Sequence, residues 1–134
     1  MALKKGTIEM QSNIYFEDSG KYDPRICHPV VLPITSDFVG EDVYFLVITS
    51  QTGKKTIYED EYFDLNDCWE EIGLRKPSLV NLSHIHKTTN PGSTVAGLRP
   101  NIYKDMMTKF KSLHEKWAAE GKDDPYYDEI RNRI

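Results

Sequence analysis

Val43-Tyr44-Phe45-Leu46-Val47-Ile48-Thr49 is a run of apolar, aromatic and β-branched residues with no glycine, proline or charge, and it reads as a core strand. Upstream, His28-Pro29-Val30-Val31-Leu32-Pro33-Ile34-Thr35 is a shorter run of the same kind. Pro33 cannot donate a ladder hydrogen bond, so this strand ends, bulges or lies at an edge there. Ser36 to Asp42, with Gly40, is the polar connection between the two. Nearer the N-terminus, Lys5 to about Asp18 carries a broken alternation that supplies a first strand with an irregular exit. Asp18 to Pro24 is polar, with Gly20 and Pro24 as turn signals. It reads as an exposed loop that delivers Arg25 and His28 to the start of the next strand.

Downstream, Gln51 to Lys55 is a turn into Thr56-Ile57-Tyr58, and Tyr62-Phe63-Asp64-Leu65 is another extended fragment among acids. Seven acidic residues lie between Glu59 and Glu71 and no Lys or Arg between Thr56 and Leu74, which marks an acidic surface or a strand edge kept from pairing by its charge. Ser78 to Ile85 alternates again, with Leu79, Asn81, Ser83 and Ile85 on one parity and Val80, Leu82 and His84 on the other. Thr88 to Gly97 is a polar stretch containing Pro91 and Gly92.

The period then changes from two to about 3.6. Ile102, Met106, Phe110, Leu113 and Trp117 fall at steps of four, four, three and four, which stacks them on one face of a helix from about Asn101 to Ala119. Pro100 suits its start and Gly121 its end. A short second helix is expected through Tyr126, Tyr127 and Ile130. The expected architecture is mainly β with a C-terminal helix: several short strands closed or curled around a small core, in one domain spanning residues 1–134.

The chain of 134 residues carries 17 Lys and Arg against 21 Asp and Glu, a formal charge of −4, so the molecule as a whole is no trap for a polyanion and any basic site is local. Hydrophobic residues make up 39% of it, enough for a sizeable core. No apolar run approaches the roughly 20 residues of a membrane span and no export segment follows Met1, so a soluble, cytoplasmic chain without a membrane partner is expected. Cys27 and Cys68 lie far apart, neither with a second cysteine at ligand or redox spacing, and read as reduced thiols of minor structural weight.

No glycine-rich phosphate loop, His-Glu-x-x-His, EF-hand or nucleophile elbow occurs, which disfavours the common cofactor folds. Of the four histidines, His84 and His86 are spaced to share one strand face and invite a metal reading, but no third ligand lies at short range. His114 sits on the helix between core-facing Leu113 and solvent and reads as structural or exposed. Arg25 and His28 before one strand, Thr49 and Ser50 after another, and His84 near the end of a third are polar groups at strand ends, where apolar strands can hold them together. Arginine offers a phosphate a fixed fork of donors and histidine moves a proton near neutral pH. Together they suffice for phosphodiester cleavage by a ribose 2′-hydroxyl, with Thr49 helping to stabilise charge on the phosphorane. Each residue also has a plainer reading: Thr49 as a strand-end cap, Arg25 as a solvated loop charge, His28 as a half-buried ring with one hydrogen bond.

The order of these pieces resembles the MazF/PemK toxins of bacterial toxin-antitoxin systems. The resemblance rests on Lys5-Gly6-Thr7-Ile8 at the first strand, on His28-Pro29-Val30-Val31-Leu32 where the family shows Arg-Pro and an apolar strand, and on Leu46-Val47-Ile48-Thr49-Ser50 where it shows an apolar strand ending in Thr. It continues through Gly73 to Thr88, similar to the family segment ending in Gln-Ile-Arg-Thr, and through Leu98 and the helix with Met106-Met107. The resemblance implies a small SH3-like barrel and a homodimer. It also implies a metal-independent, cofactor-free endoribonuclease on single-stranded RNA, leaving a 2′,3′-cyclic phosphate and inhibited by a small antitoxin protein. It places Thr49 at the catalytic threonine and His28 at the family's catalytic arginine, with Arg25 three residues earlier, and His84 and His86 where members carry RNA-contacting glutamine and the following arginine. Ser50 joins the RNA-binding set. The departure at His28 and the net acidity leave an alternative from another class: a catalytically inactive barrel used for protein recognition, with Glu59 to Glu71 as its surface.

Overall fold

The computed structural model describes residues 4–11, 28–35, 42–50, 59–65, 68–74, 76–89 and 92–134. Seven strands, β1 (Thr7–Gln11), β2 (His28–Val31), β3 (Val43–Thr49), β4 (Tyr62–Asp64), β5 (Leu79–Asn81), β6 (His86–Thr88) and β7 (Ser93–Gly97), precede helices α1 (Pro100–Ala119) and α2 (Pro125–Ile130). The strands form one antiparallel sheet in the order β4-β5-β3-β2-β1-β7, with β6 also paired to β3. β4 and β7 stand at the two ends of this path.

β3 is the axis of the sheet because both its faces are covered. Tyr44, Leu46 and Ile48 enter the main core with Ile8, Val31, Val80 and the helix residues Met106, Phe110 and Leu113. Val43, Phe45 and Val47 alternate to the reverse face, where they form a second cluster with Val30 and Leu32. Its neighbours are β2 on one side and, on the other, β5 against its C-terminal end and β6 against its N-terminal part.

α1 has the expected face: Met106, Phe110 and Leu113 are buried, and Ile102 and Trp117 pack beside them. Pro100 occupies its first turn, and Gly121, at a φ of 77°, lets the chain turn back so that the Lys122 N–H reaches the Trp117 carbonyl at 2.8 Å. Three polar fastenings hold the helix on the sheet. Tyr103 Oη donates to the Pro33 carbonyl at 2.6 Å, Lys109 Nζ to the carbonyls of Glu59 and Tyr62, and His114 Nε2 to that of Leu82 at 2.7 Å. Gly6 takes a φ of 81° with the Tyr103 ring against it, so a Cβ there would meet both backbone strain and a 3.3 Å contact.

His114 is fully buried, on the structural side of the two readings. A carbonyl can only accept, so Nε2 carries the proton; the ring stacks on Tyr127 at 4.8 Å, and burial lowers its pKa. α2 forms as expected, capped by Asp124, which accepts from the Tyr126 N–H. Tyr127 and Ile130 drive into the main core. Tyr127 Oη donates to Glu115, which Arg131 also grips, and these bonds hold the Glu115 carboxyl down at about 2.

One element and one strand boundary were not read from the sequence. Within the polar stretch from Thr88 to Gly97, Ser93–Gly97 forms a strand on β1, at one end of the described strand order. Four of its five residues are exposed, so it carries none of the apolar alternation that marks a strand in sequence. The alternation from Ser78 to Ile85 is not one strand, because the Asn81 side chain accepts from the N–H and hydroxyl of Ser83 and closes a turn that ends β5. Within the acidic stretch, Glu59–Glu61 is a turn of 3₁₀ helix and β4 follows at one end of the described strand order. Cys68 is buried; Cys27 lies outside the described residues. Among the described residues no helix is long and apolar enough to cross a membrane. Phe110 is fully buried against His114 and Tyr127, so Phe110→Ala should cost about 3–5 kcal/mol in urea unfolding.

Candidate functional site on the reverse face of the sheet

The reverse face of the sheet gathers most of the polar residues that the sequence singled out. β2 and β3 pair Val30 with Val47 and Val31 with Leu46. That ladder stops beside Pro29, which has no N–H to give; His28 and Thr49 each lie two residues beyond its last pair along their own strands. Both share parity with the second cluster and so belong to the reverse face. Ser50 follows Thr49 and is exposed. Arg25 lies outside the described residues.

His86 reaches the same face from β6. Phe45 is paired with His86, and their rings stack in parallel, 5.2 Å between centroids and 7° between planes. The exposed His84 ring lies over His86 at 4.5 Å and 27°. The result is a ladder of three rings running from the buried Phe45 to the exposed His84. Burial, helped by the charge His84 can carry, pushes the His86 pKa down to about 4. Burial also lowers that of His28, so its imidazole is neutral near pH 7 and able to accept a proton. Among the described residues no group of three His, Cys, Asp or Glu side chains is arranged to hold a metal ion.

Two residues of this face were missed in the sequence. β1 pairs Glu9 with Val30 and Gln11 with His28, which places both on the reverse face. Glu9 is 0% exposed and neither carboxyl oxygen has a hydrogen bond of good geometry. Burial raises its pKa, offset in part by the nearby Gly92 backbone and Gln11 side chain. Gly92 is confined there: a Cβ would run into the Met10 carbonyl and stand 3.1 Å from the Gln11 amide. The alternation Ile8-Glu9-Met10-Gln11 suggests a solvated polar face. The signal against that was that β2 and β3 have no polar parity, so both sides of the sheet had to be covered, β1 included.

The face thus holds a hydroxyl, a neutral imidazole, a buried carboxyl, an amide and a ring ladder with one exposed end. Proton transfer and the stacking of a planar group are what such a set can do. Compared with protein-family models and with curated proteins, the chain matches none.

For His86 a pH dependence follows. Its folded pKa of about 4 lies below the ordinary 6.5, so the unfolded chain binds more protons between those values, and stability falls as the pH drops from 6.5 toward 4. His28 and His114 act in the same direction. Urea midpoints measured across this range should decline, and His86→Phe, which keeps a ring on Phe45, should flatten the decline.

Proposed function

We propose that this chain is an endoribonuclease of the MazF/PemK kind, cutting single-stranded RNA without a metal by attack of a ribose 2′-hydroxyl. The observation that carries the reading is the pairing of Val30 with Val47, whose alternation gives His28 and Thr49 the parity of the second apolar cluster, on a face separate from the helix-covered core. The ordered sequence resemblance supports it, and so does the ring ladder beside them, whose exposed His84 offers a surface on which an unpaired base can stack. The reading entails that the sheet curls into a small SH3-like barrel, that two copies pair, and that a small antitoxin protein blocks the RNA site.

In this mechanism the neutral His28 takes the proton from the 2′-hydroxyl as its oxygen attacks phosphorus. The Thr49 hydroxyl donates to a phosphoryl oxygen as negative charge grows on it, Arg25 adds its guanidinium, and Ser50 holds the neighbouring backbone. His28 stands where the family carries arginine, so charge stabilisation falls to Thr49 and Arg25 while His28 moves the proton. An acid must also protonate the departing 5′ oxygen. The products are a 2′,3′-cyclic phosphate and a 5′-hydroxyl.

The test is to incubate the purified chain, free of partners, with mixed-sequence single-stranded RNA in excess chelator and to analyse the product ends. Cleavage should persist in chelator, and His28→Ala and Thr49→Ala should each slow it by about 10²–10⁴-fold. RNA left intact across all sequences would reject the nuclease. Recovery of a bound small protein from an inert chain would favour the protein-recognition alternative, with the acidic stretch from Glu59 to Glu71 as its surface.

A further inference from the structure

The helix-covered core encloses a titratable group that the proposed mechanism does not use. His114 is 1% exposed, and its ring meets three others: Phe110 at 4.7 Å between centroids, Trp117 at 5.4 Å and, nearly parallel to it, Tyr127 at 4.8 Å. A phenylalanine would make the same contacts. What imidazole adds is a proton on Nε2 for the Leu82 carbonyl, and a lone pair on Nδ1 that is buried without a hydrogen-bond partner among the described residues. A second proton would arrive at Nδ1 with no acceptor enclosed beside it, and a buried charge lacking its hydrogen bond is costly. The charged ring is therefore at odds with the closed core. Among the described residues, Asp124 is the one charged group whose field reaches the ring; it favours the proton, as does the Leu82 bond, and burial outweighs both. The Tyr127 phenol on α2 faces the ring as a neutral group and is spent on Glu115, whose charge Arg131 offsets.

Two of the three rings against His114 lie on its own helix, so the cover that can lift is Tyr127. It belongs to α2, a helix of six residues, too short to persist alone and joined to α1 through the turn at Gly121. Tyr127 and Ile130 seat it in the core, and the Arg131–Glu115 and Lys87–Glu129 pairs fasten it at the surface. Its cap is Asp124, so the charge on the ring and the first turn of α2 share one carboxylate.

We propose that His114 is a pH-sensitive latch: a proton gained at its unpartnered Nδ1 releases α2 from the core while the sheet stays folded. When Tyr127 lifts, one face of the imidazole meets water and the charge becomes admissible. The released ring titrates near the ordinary 6.5 and the docked ring below it, so the released state binds more protons and gains population as the pH falls through that value.

The experiment is hydrogen exchange of the full chain, followed at single amides from pH 7 to pH 5 and corrected for the intrinsic pH dependence of exchange. Protection of the α2 amides should fall several-fold, up to the roughly 25-fold set by a released ring titrating at 6.5. At pH 5 their exchange should be nearly insensitive to low urea, as a local opening exposes little surface, whereas that of the β3 amides should rise steeply with it. His114→Gln keeps a donor for Leu82 but cannot gain a charge, and should abolish the fall; a fall caused by Asp123, Asp128 or Glu129 on the same segment would survive it. Protection of α2 that stays flat from pH 7 to pH 5 would overturn the latch. So would α2 amides that share the urea slope of β3, or a fall that persists in His114→Gln. If His114→Gln does not fold, the His114 ring resonance of the wild-type chain decides. It must take up its proton over the range in which α2 loses protection, and a ring that stays neutral while α2 opens rejects the proposal.

Discussion

The structure depends on one strand being buried on both sides. Val43–Thr49 contributes alternate residues to two separate apolar clusters, so it has no solvated face, and every neighbour must be arranged to cover it. α1 and α2 cover one side. On the other, the same alternation that buries Val47 and Phe45 continues into Thr49, and across the register into Val30 and His28. The polar rim is therefore the end of an apolar row, and the rigidity of that row is what would hold the rim in place.

The burial that makes the core also sets the chemistry of its edge. His28, His86 and Glu9 all have their neutral forms favoured, and for each the first cause is loss of water. This is unlike α1, where Glu115 is held ionised by Arg131 and Tyr127 on an exposed helix face. One face thus keeps protons movable, while the other fixes charge in ion pairs that fasten the C-terminal segment.

Periodicity made β3 and α1 legible in the sequence, because each buries a pattern that its own residues spell out. Residues whose burial is decided elsewhere were not legible. Ser93–Gly97 is a strand only because β1 offers it a ladder, and Asn81 ends β5 through a side-chain turn that alternation cannot register. That His28 and Thr49 share the parity of a second apolar cluster was not legible, because the sequence offered them only as strand ends. Glu9 was passed over because an alternating Glu and Gln look like a wet face, and nothing local to β1 says that a second cluster lies against them. Arg25 lies outside the described residues.

The three-residue strand β6 places consecutive side chains on opposite sides of the sheet. His86 stacks on Phe45 at the reverse face, while Lys87 bonds Glu129 of α2 and Asp42 and lies 5.5 Å from the ring centres of Tyr44 and Tyr126. These ion pairs are partly open to water, so mobile ions screen them. Rising ionic strength would therefore weaken the grip of α2 and, through one peptide unit, the seating of the histidine rings behind it, coupling the electrolyte around the molecule to a surface that itself carries no ion pair of that set.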